Sequence, residues 1–262
     1  MKLISRIRGL IFFFLVLNVA GCIAQSDGGY GGTSKNTISR EETSARIHTE
    51  LAAQYYYREQ LGVALEEVAL ALQSKPDYGP AYNVRGLVRM ALHEDKQADE
   101  DFQHSLLLDD TDSDTHNNYG WFLCERGKEL DSIKHFLAAL KNPLYSTPGK
   151  AYLNAGICSM KAGNTKEAEK FLQKALTVQP NMSEALISLS NLYFANADYA
   201  SAKSYFMIFK RNAISPLTAE NLWLAVRIER KLGDKIAENN YTIQLRKNFP
   251  DARETQQMLY GQ

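Results

Sequence analysis

"AYLNAGICSMKAGNTKEAEKFLQKALTVQP", residues 151–180, carries two helical patterns of small and apolar residues joined by a turn. Tyr152, Ala155 and Gly156 recur at helical spacing before the turn, and Ala168, Leu172 and Ala175 after it, until Pro180 ends the second run. Inside it, "KAGNTKEAEKF" (161–171) supplies the reversal, with Gly163 and Asn164 turning the chain. The pattern returns at a step of 34 residues. Forward it gives Leu189, Tyr193, Ala202 and Phe206. Backward, past two extra residues near Thr147 and Pro148, it gives Tyr119, Gly120, Leu123, Phe136 and Ala139. Two further steps back give Tyr82, Gly86, Ala98, Phe102 and Ser105, then Leu51, Tyr55, Ala64, Val68 and Ala71 before Pro76. A weaker sixth copy, entered after one more inserted residue, offers Leu224, Ile228, Ala237 and Tyr241.

A 34-residue period with this order of Gly, Tyr, Ala, Phe and Pro is the tetratricopeptide signature. The physics accounts for the residue types. Gly86, Gly120 and Gly156, with Ala64, Ala98 and Ala168, fall where the two helices of a unit cross, and larger side chains there would force them apart. Phe102, Phe136 and Phe206 are expected to fill the seam to the next unit. The predicted fold is all-α: a right-handed superhelical solenoid of about six helix-turn-helix repeats over 44–262. The repeats lie near 45–78, 79–112, 113–146, 149–182, 183–216 and 218–251, and a capping helix follows Pro250.

The first 43 residues do not belong to this pattern. Lys2, Arg6 and Arg8 precede the apolar block "LIFFFLVL" (10–17), which Asn18 ends. A spanning helix needs about 20 apolar residues and a signal core only ~7–15, so 1–21 reads as an export signal. Ala20 and Gly21 before Cys22 are similar to the cleavage site of a bacterial lipoprotein, "VAGC". That similarity makes Cys22 the acylated first residue. With no aspartate directly after it, the stretch resembles lipoproteins sent on to the outer membrane, which implies the periplasmic face of that membrane in a Gram-negative bacterium. Two lipid signals already suffice for stable anchoring. Residues 22–43 then read as the acylated N-terminus and a flexible tether; about 18 residues of such coil span ~20–25 Å.

Thirty basic residues against thirty acidic ones leave no basic excess for nucleic acid. The five histidines are scattered and no thiolate cluster occurs, so neither metal nor cofactor is expected. "DDTDSDT" (109–115) places Asp110, Asp112 and Asp114 like the first ligands of a calcium loop, but Thr115 and Trp121 stand where glycine and glutamate are required. It reads as an inter-repeat turn with Asp114 or Thr115 as N-cap. No nucleophile or acid–base constellation is present, so no enzyme is expected. Charge is uneven: twelve acids against three bases over 94–131, and nine bases against four acids over 203–247.

In a tetratricopeptide superhelix the fifth, ninth, twelfth and thirteenth residues of each first helix face the concave side. Here those places include Thr49, Ala53, Tyr56 and Tyr57; Asn83, Leu87 and Met90; Asn117 and Trp121; and Ile157. Tyr56, Tyr57, Asn83, Leu87, Met90, Asn117, Trp121 and Ile157 form the predicted partner-binding groove, with an apolar patch around Tyr56, Leu87, Met90 and Trp121. The lysines and asparagine of a carboxylate clamp are missing from the first two units. Cys124 and Cys158 lie 34 residues apart on neighbouring first helices, close enough for a disulfide in an oxidising compartment. Two free thiols remain the alternative.

"NNYGWFLCERG" (117–127), "NPLYSTPGKAYLNAGICSMKAG" (142–163) and "LRKNFPDA" (245–252) resemble the type IV pilus biogenesis and stability lipoprotein family, PilF or PilW, the pilotin of the pilus secretin. The likeness spans nearly the whole chain. It implies a monomeric scaffold, bound to the membrane through its lipid, that helps the outer-membrane secretin localise and multimerise for pilus assembly and twitching motility. The residues alone leave open an adaptor for another envelope machine, in cell-wall synthesis or outer-membrane protein assembly.

Overall fold

The computed structural model describes residues 39–260. The leader, Cys22 and the expected tether up to residue 38 lie outside the described residues. Helix α1 spans Arg40–Tyr57, so the solenoid starts four residues earlier than the expected boundary at 44. The cause is local: Ser39 caps the helix, its Oγ accepting the Glu42 N–H at 3.0 Å, and Glu41 and Glu42 suit the positive end of the helix dipole.

Helix α1 pairs with α2 (Leu61–Ser74), α3 (Gly79–Ala91) with α4 (Asp95–Leu108), and α5 (Ser113–Glu125) with α6 (Glu129–Ala139). Helix α7 (Pro148–Lys161) pairs with α8 (Thr165–Val178), α9 (Ser183–Ala195) with α10 (Tyr199–Asn212), and α11 (Ala219–Leu232) with α12 (Lys235–Asn248). The short α13 (Arg253–Tyr260) packs on α11 and α12 and closes the array. The described residues contain no strand, and the fold is the all-α tetratricopeptide solenoid. No described helix is long and apolar enough to cross a membrane.

The turn inside every unit holds one residue at left-handed φ: Glu59, His93, Gly127, Gly163, Ala197 and Gly233. Successive steps between them are 34, 34, 36, 34 and 36 residues. The last step corrects the expected register, since two residues rather than one are inserted before the sixth unit. Pro216 lies in that connection, and a capping box between Thr218 and Asn221 fixes the start of α11 at Ala219.

The crossing points are as close as the small residues imply. A Cβ added at Gly86 would stand 2.9 Å from the Phe102 ring, one at Gly120 2.8 Å from Phe136, and one at Gly156 2.6 Å from Leu172. Phe102 then reaches the next unit, its ring 5.5 Å from Tyr119 and 5.6 Å from Phe122. Helix α5 is capped by Asp112, which accepts from the Asp114 and Thr115 N–H groups, rather than by Asp114 or Thr115. An Asx turn that receives two amides satisfies more of the helix end than either alternative. Part of the acidic run is structural as well: Asp101 is 3% exposed and bound by Arg85 and Arg89 at 2.7 and 2.8 Å.

Candidate partner-binding groove

Helices α1, α3, α5 and α7 each touch the next, so their inward faces form one continuous wall. The corrected register puts Ala53, Leu87, Trp121, Ile157, Asn191 and Arg227 at the same place in six successive units. Two adjoining concavities open on the N-terminal part of this wall. The larger, about 500 Å³, is bounded by Tyr57, Asn83, Leu87, Asn117, Tyr145 and Lys150. The smaller, about 180 Å³, lies between Tyr56, Tyr57, Leu87, Trp121, Asn117 and Asn154. Leu87, Tyr57 and Asn117 border both, so the two are sections of one groove.

The structure therefore gathers Tyr56, Tyr57, Asn83, Leu87, Asn117 and Trp121, all expected from the repeat register. Met90 and Ile157 lie off the concavities. Met90 packs against the Ala98, Phe102 and Leu123 cluster, and Ile157 against Leu153, Leu172 and Leu189. Both chains bury more apolar surface in those seams than an open trough offers.

Four asparagines tie the wall together. Asn118 Nδ2 donates to Asn83 Oδ1 at 3.1 Å, Asn117 Nδ2 to Asn118 Oδ1 at 3.3 Å, and Asn154 Nδ2 to Asn117 Oδ1 at 3.0 Å. The ladder crosses α3, α5 and α7. Asn83, Asn117 and Asn154 are buried, so the amides are held by one another rather than by bulk water. Asn118 and Asn154 occupy the sixth place of their units, one residue beyond the positions read as inward. Their sequence signal is the Asn-Asn pair at 117–118 followed by Asn154 at the next repeat.

The electrostatics differ along the groove. Burial pushes the Tyr145 hydroxyl up to about 12, with Asp114 and Asp112 adding to the effect, and its oxygen is buried without a hydrogen-bond partner among the described residues. Burial, and Asp112 beside it, raises the pKa of Asp114. At the other end Lys161 sits 5.5 Å above the Trp121 ring and pairs with Glu125 at 2.5 Å. Below Trp121, Cys124 and Cys158 face each other across α5 and α7 with Cα atoms 5.9 Å apart, among Phe136, Ala155 and Phe171. That separation lies within the range a disulfide spans. Among the described residues no cluster of His, Cys, Asp or Glu is arranged to hold a metal ion. Amide donors and acceptors beside aromatic faces are the chemistry that receives a polypeptide segment.

The family model for the tetratricopeptide repeat matches residues 159–206. The type IV pilus assembly protein PilF of Pseudomonas aeruginosa is 24% identical over 251 residues, covering 96% of this chain and 97% of its own. The structure of Pseudomonas aeruginosa PilF superposes with a TM-score of 0.77 over 86% of this chain and all of its own, at 22% identity, a likeness of fold. The crystal structure of PilW, described as a widely conserved type IV pilus biogenesis factor, has the same TM-score at 33% identity, over 82% of this chain and 98% of that one. With that identity along almost the full length of PilW, the chain belongs to the PilF/PilW family of tetratricopeptide proteins of type IV pilus biogenesis.

Proposed function

We propose that this protein is a lipid-anchored periplasmic scaffold that binds the outer-membrane pilus secretin through its N-terminal groove and promotes the secretin's localisation and multimerisation. The observation that carries this reading is the groove itself. Tyr56, Tyr57, Leu87 and Trp121 present aromatic and apolar surface beside the asparagine ladder, on a chain that belongs to a family of pilus biogenesis factors. Aromatic anchors in a trough typically dominate an interface. The leader ending in "VAGC" supports acylation of Cys22 and placement at the inner face of the outer membrane. Tethering there raises the local concentration of a membrane-bound partner without adding a contact. In that oxidising space Cys124 and Cys158 form a bridge beneath Trp121 and stiffen the groove floor. The role is one of assembly and not of catalysis.

Crosslinking in cells followed by purification from outer membranes tests the proposal. Recovery of a secretin, lost when Leu87 is replaced by glutamate in a folded and correctly localised variant, is the expected result. A full yield of secretin complex with that variant would remove the groove from the mechanism.

A further inference from the structure

The C-terminal end of the concave wall carries a different chemistry. Arg227 stands in register with Leu87 and Trp121, one unit beyond Asn191, and borders a recess of about 300 Å³ between α9, α11 and α13. Its guanidinium carbon lies 4.7 Å from the Phe194 ring and 5.7 Å from that of Trp223, so two aromatic faces hold the group in place. Its Nε is buried and has no hydrogen-bond partner among the described residues. Burial lowers its pKa from the ordinary arginine value. Glu220, which lines the same recess, instead accepts from Thr218 Oγ1 at 3.1 Å. Arg253 and Gln257 enter from α13, and Asn191 and Asn221 complete a mostly polar lining.

A partly buried guanidinium is stable when a charged acceptor completes its hydrogen bonds; the Nε of this one lacks that acceptor among the described residues. We propose that the recess is a carboxylate-binding site, in which Arg227 forks onto the carboxylate of an acidic polypeptide segment while Arg253 closes over it from the C-terminal helix. A planar carboxylate matches the guanidinium fork. Glu220 and Glu254 border the recess and repel a dianion more strongly than a singly charged carboxylate, which favours the carboxylate over phosphate. The site lies in the fifth and sixth units and stands whether or not a partner docks in the N-terminal groove.

The test is a titration of the full chain, followed through the Arg227 Nε–H and Trp223 indole resonances. The probes are acetyl-Gly-Glu-Gly-amide, its glutamine counterpart and inorganic phosphate. The glutamate peptide is expected to shift both resonances saturably, and the glutamine peptide to bind about 10- to 100-fold more weakly. Arg227→Lys, which keeps the charge and loses the fork, should weaken the glutamate peptide by about 10-fold. Arg253→Gln leaves the Phe194 and Trp223 stack untouched and should weaken it by several-fold, so it decides the matter even if Arg227→Lys does not fold. Equal responses to the two peptides, or none, overturn the site. Displacement of the glutamate peptide by phosphate at equal or lower concentration overturns the carboxylate assignment.

Discussion

Replacing Gly156 by alanine should destabilise the protein, although alanine is the better helix former. The added methyl would stand 2.6 Å from Leu172 Cγ, 2.7 Å from its Cδ2 and 3.2 Å from its backbone nitrogen. Carbon atoms rest at about 3.5–4.0 Å, so the first two contacts must open by roughly 1 Å. A rotamer change can move Cδ2. Moving the γ carbon requires a change of χ1, which a helix restricts, and the backbone nitrogen moves only with α8, which places the change at the upper end of the ~1–3 kcal/mol typical of overpacking. Alanine recovers about 1 kcal/mol in helix propensity. The net loss is about 2 kcal/mol, a fall in Tm of ~4–8 °C for a chain of this size. Gly62→Ala is the counter-case: it lies in α2 with nothing within 4 Å of the added methyl, and should gain ~0.4–1 kcal/mol. Thermal melting followed by far-ultraviolet circular dichroism separates the two by sign. A Gly156→Ala protein that melts at or above the wild-type temperature would show that α7 and α8 part freely, and the steric account of the repeat glycines would fail.

In the groove, Trp121→Ala should weaken partner binding by ~2–4 kcal/mol, or ~30- to 1000-fold, and Leu87→Glu by at least as much, measured with unchanged helicity as control. Full secretin assembly with either variant would contradict the docking site. A Cys124–Cys158 bridge would close a 34-residue stretch and should contribute roughly 3–4 kcal/mol, so reductant should lower Tm by ~6–16 °C. Two alkylated thiols in unreduced protein, seen by mass spectrometry, would rule the bridge out. Cys22→Ser should release a folded solenoid from the outer membrane fraction; sedimentation with that fraction in cells lacking the partner would refute the anchor. His135 is held at about 4 by burial and by His116, whose Nδ1 lies 2.9 Å from its own, against a smaller opposing pull from Asp131. The unfolded chain, with histidine near 6.5, therefore takes this proton first, and stability should decline as pH falls from about 6.5 towards 4. His135→Gln should flatten that part of a stability-against-pH curve, and an unchanged slope would show that another group sets it.

The repeat was legible because its constraints are short-ranged and recur. Gly86, Gly120 and Gly156 announce close crossings one unit at a time, and the structure places an aromatic ring or a leucine against each. The sixth unit is where this reading slipped by one residue. Its usual Ala and Phe places carry Glu238 and Thr242, and its second helix buries Tyr241 and Leu245 instead, so nothing in the residue types fixed the register, while the left-handed turn at Gly233 does. The groove was half legible. Position within the repeat predicts which way Leu87 and Trp121 face, because first helices stack regularly. It does not predict that Met90 turns into a seam, which depends on the space Phe102 and Leu123 leave between units. The asparagine ladder was hidden for a similar reason: its bonds run between helices, and only three-dimensional stacking reveals that residues 83, 118, 117 and 154 meet.

The left-handed turns grade the solenoid mechanically. Glycine fills them in the third, fourth and sixth units, where that conformation is free of side-chain conflict. Glu59, His93 and Ala197 hold the same conformation in the first, second and fifth at about 1–2 kcal/mol each. In an array whose units touch only their neighbours, such a local cost stays local. The third and fourth units combine relaxed turns with facing cysteines and are expected to be the hard jaw of the proposed groove. The first and second units, which contribute Tyr56, Tyr57 and Leu87 and carry two of the costly turns, are expected to be the softer one. If a guest enters the proposed groove between them, any local rearrangement is expected to fall on α1 and α3 rather than on α5 and α7.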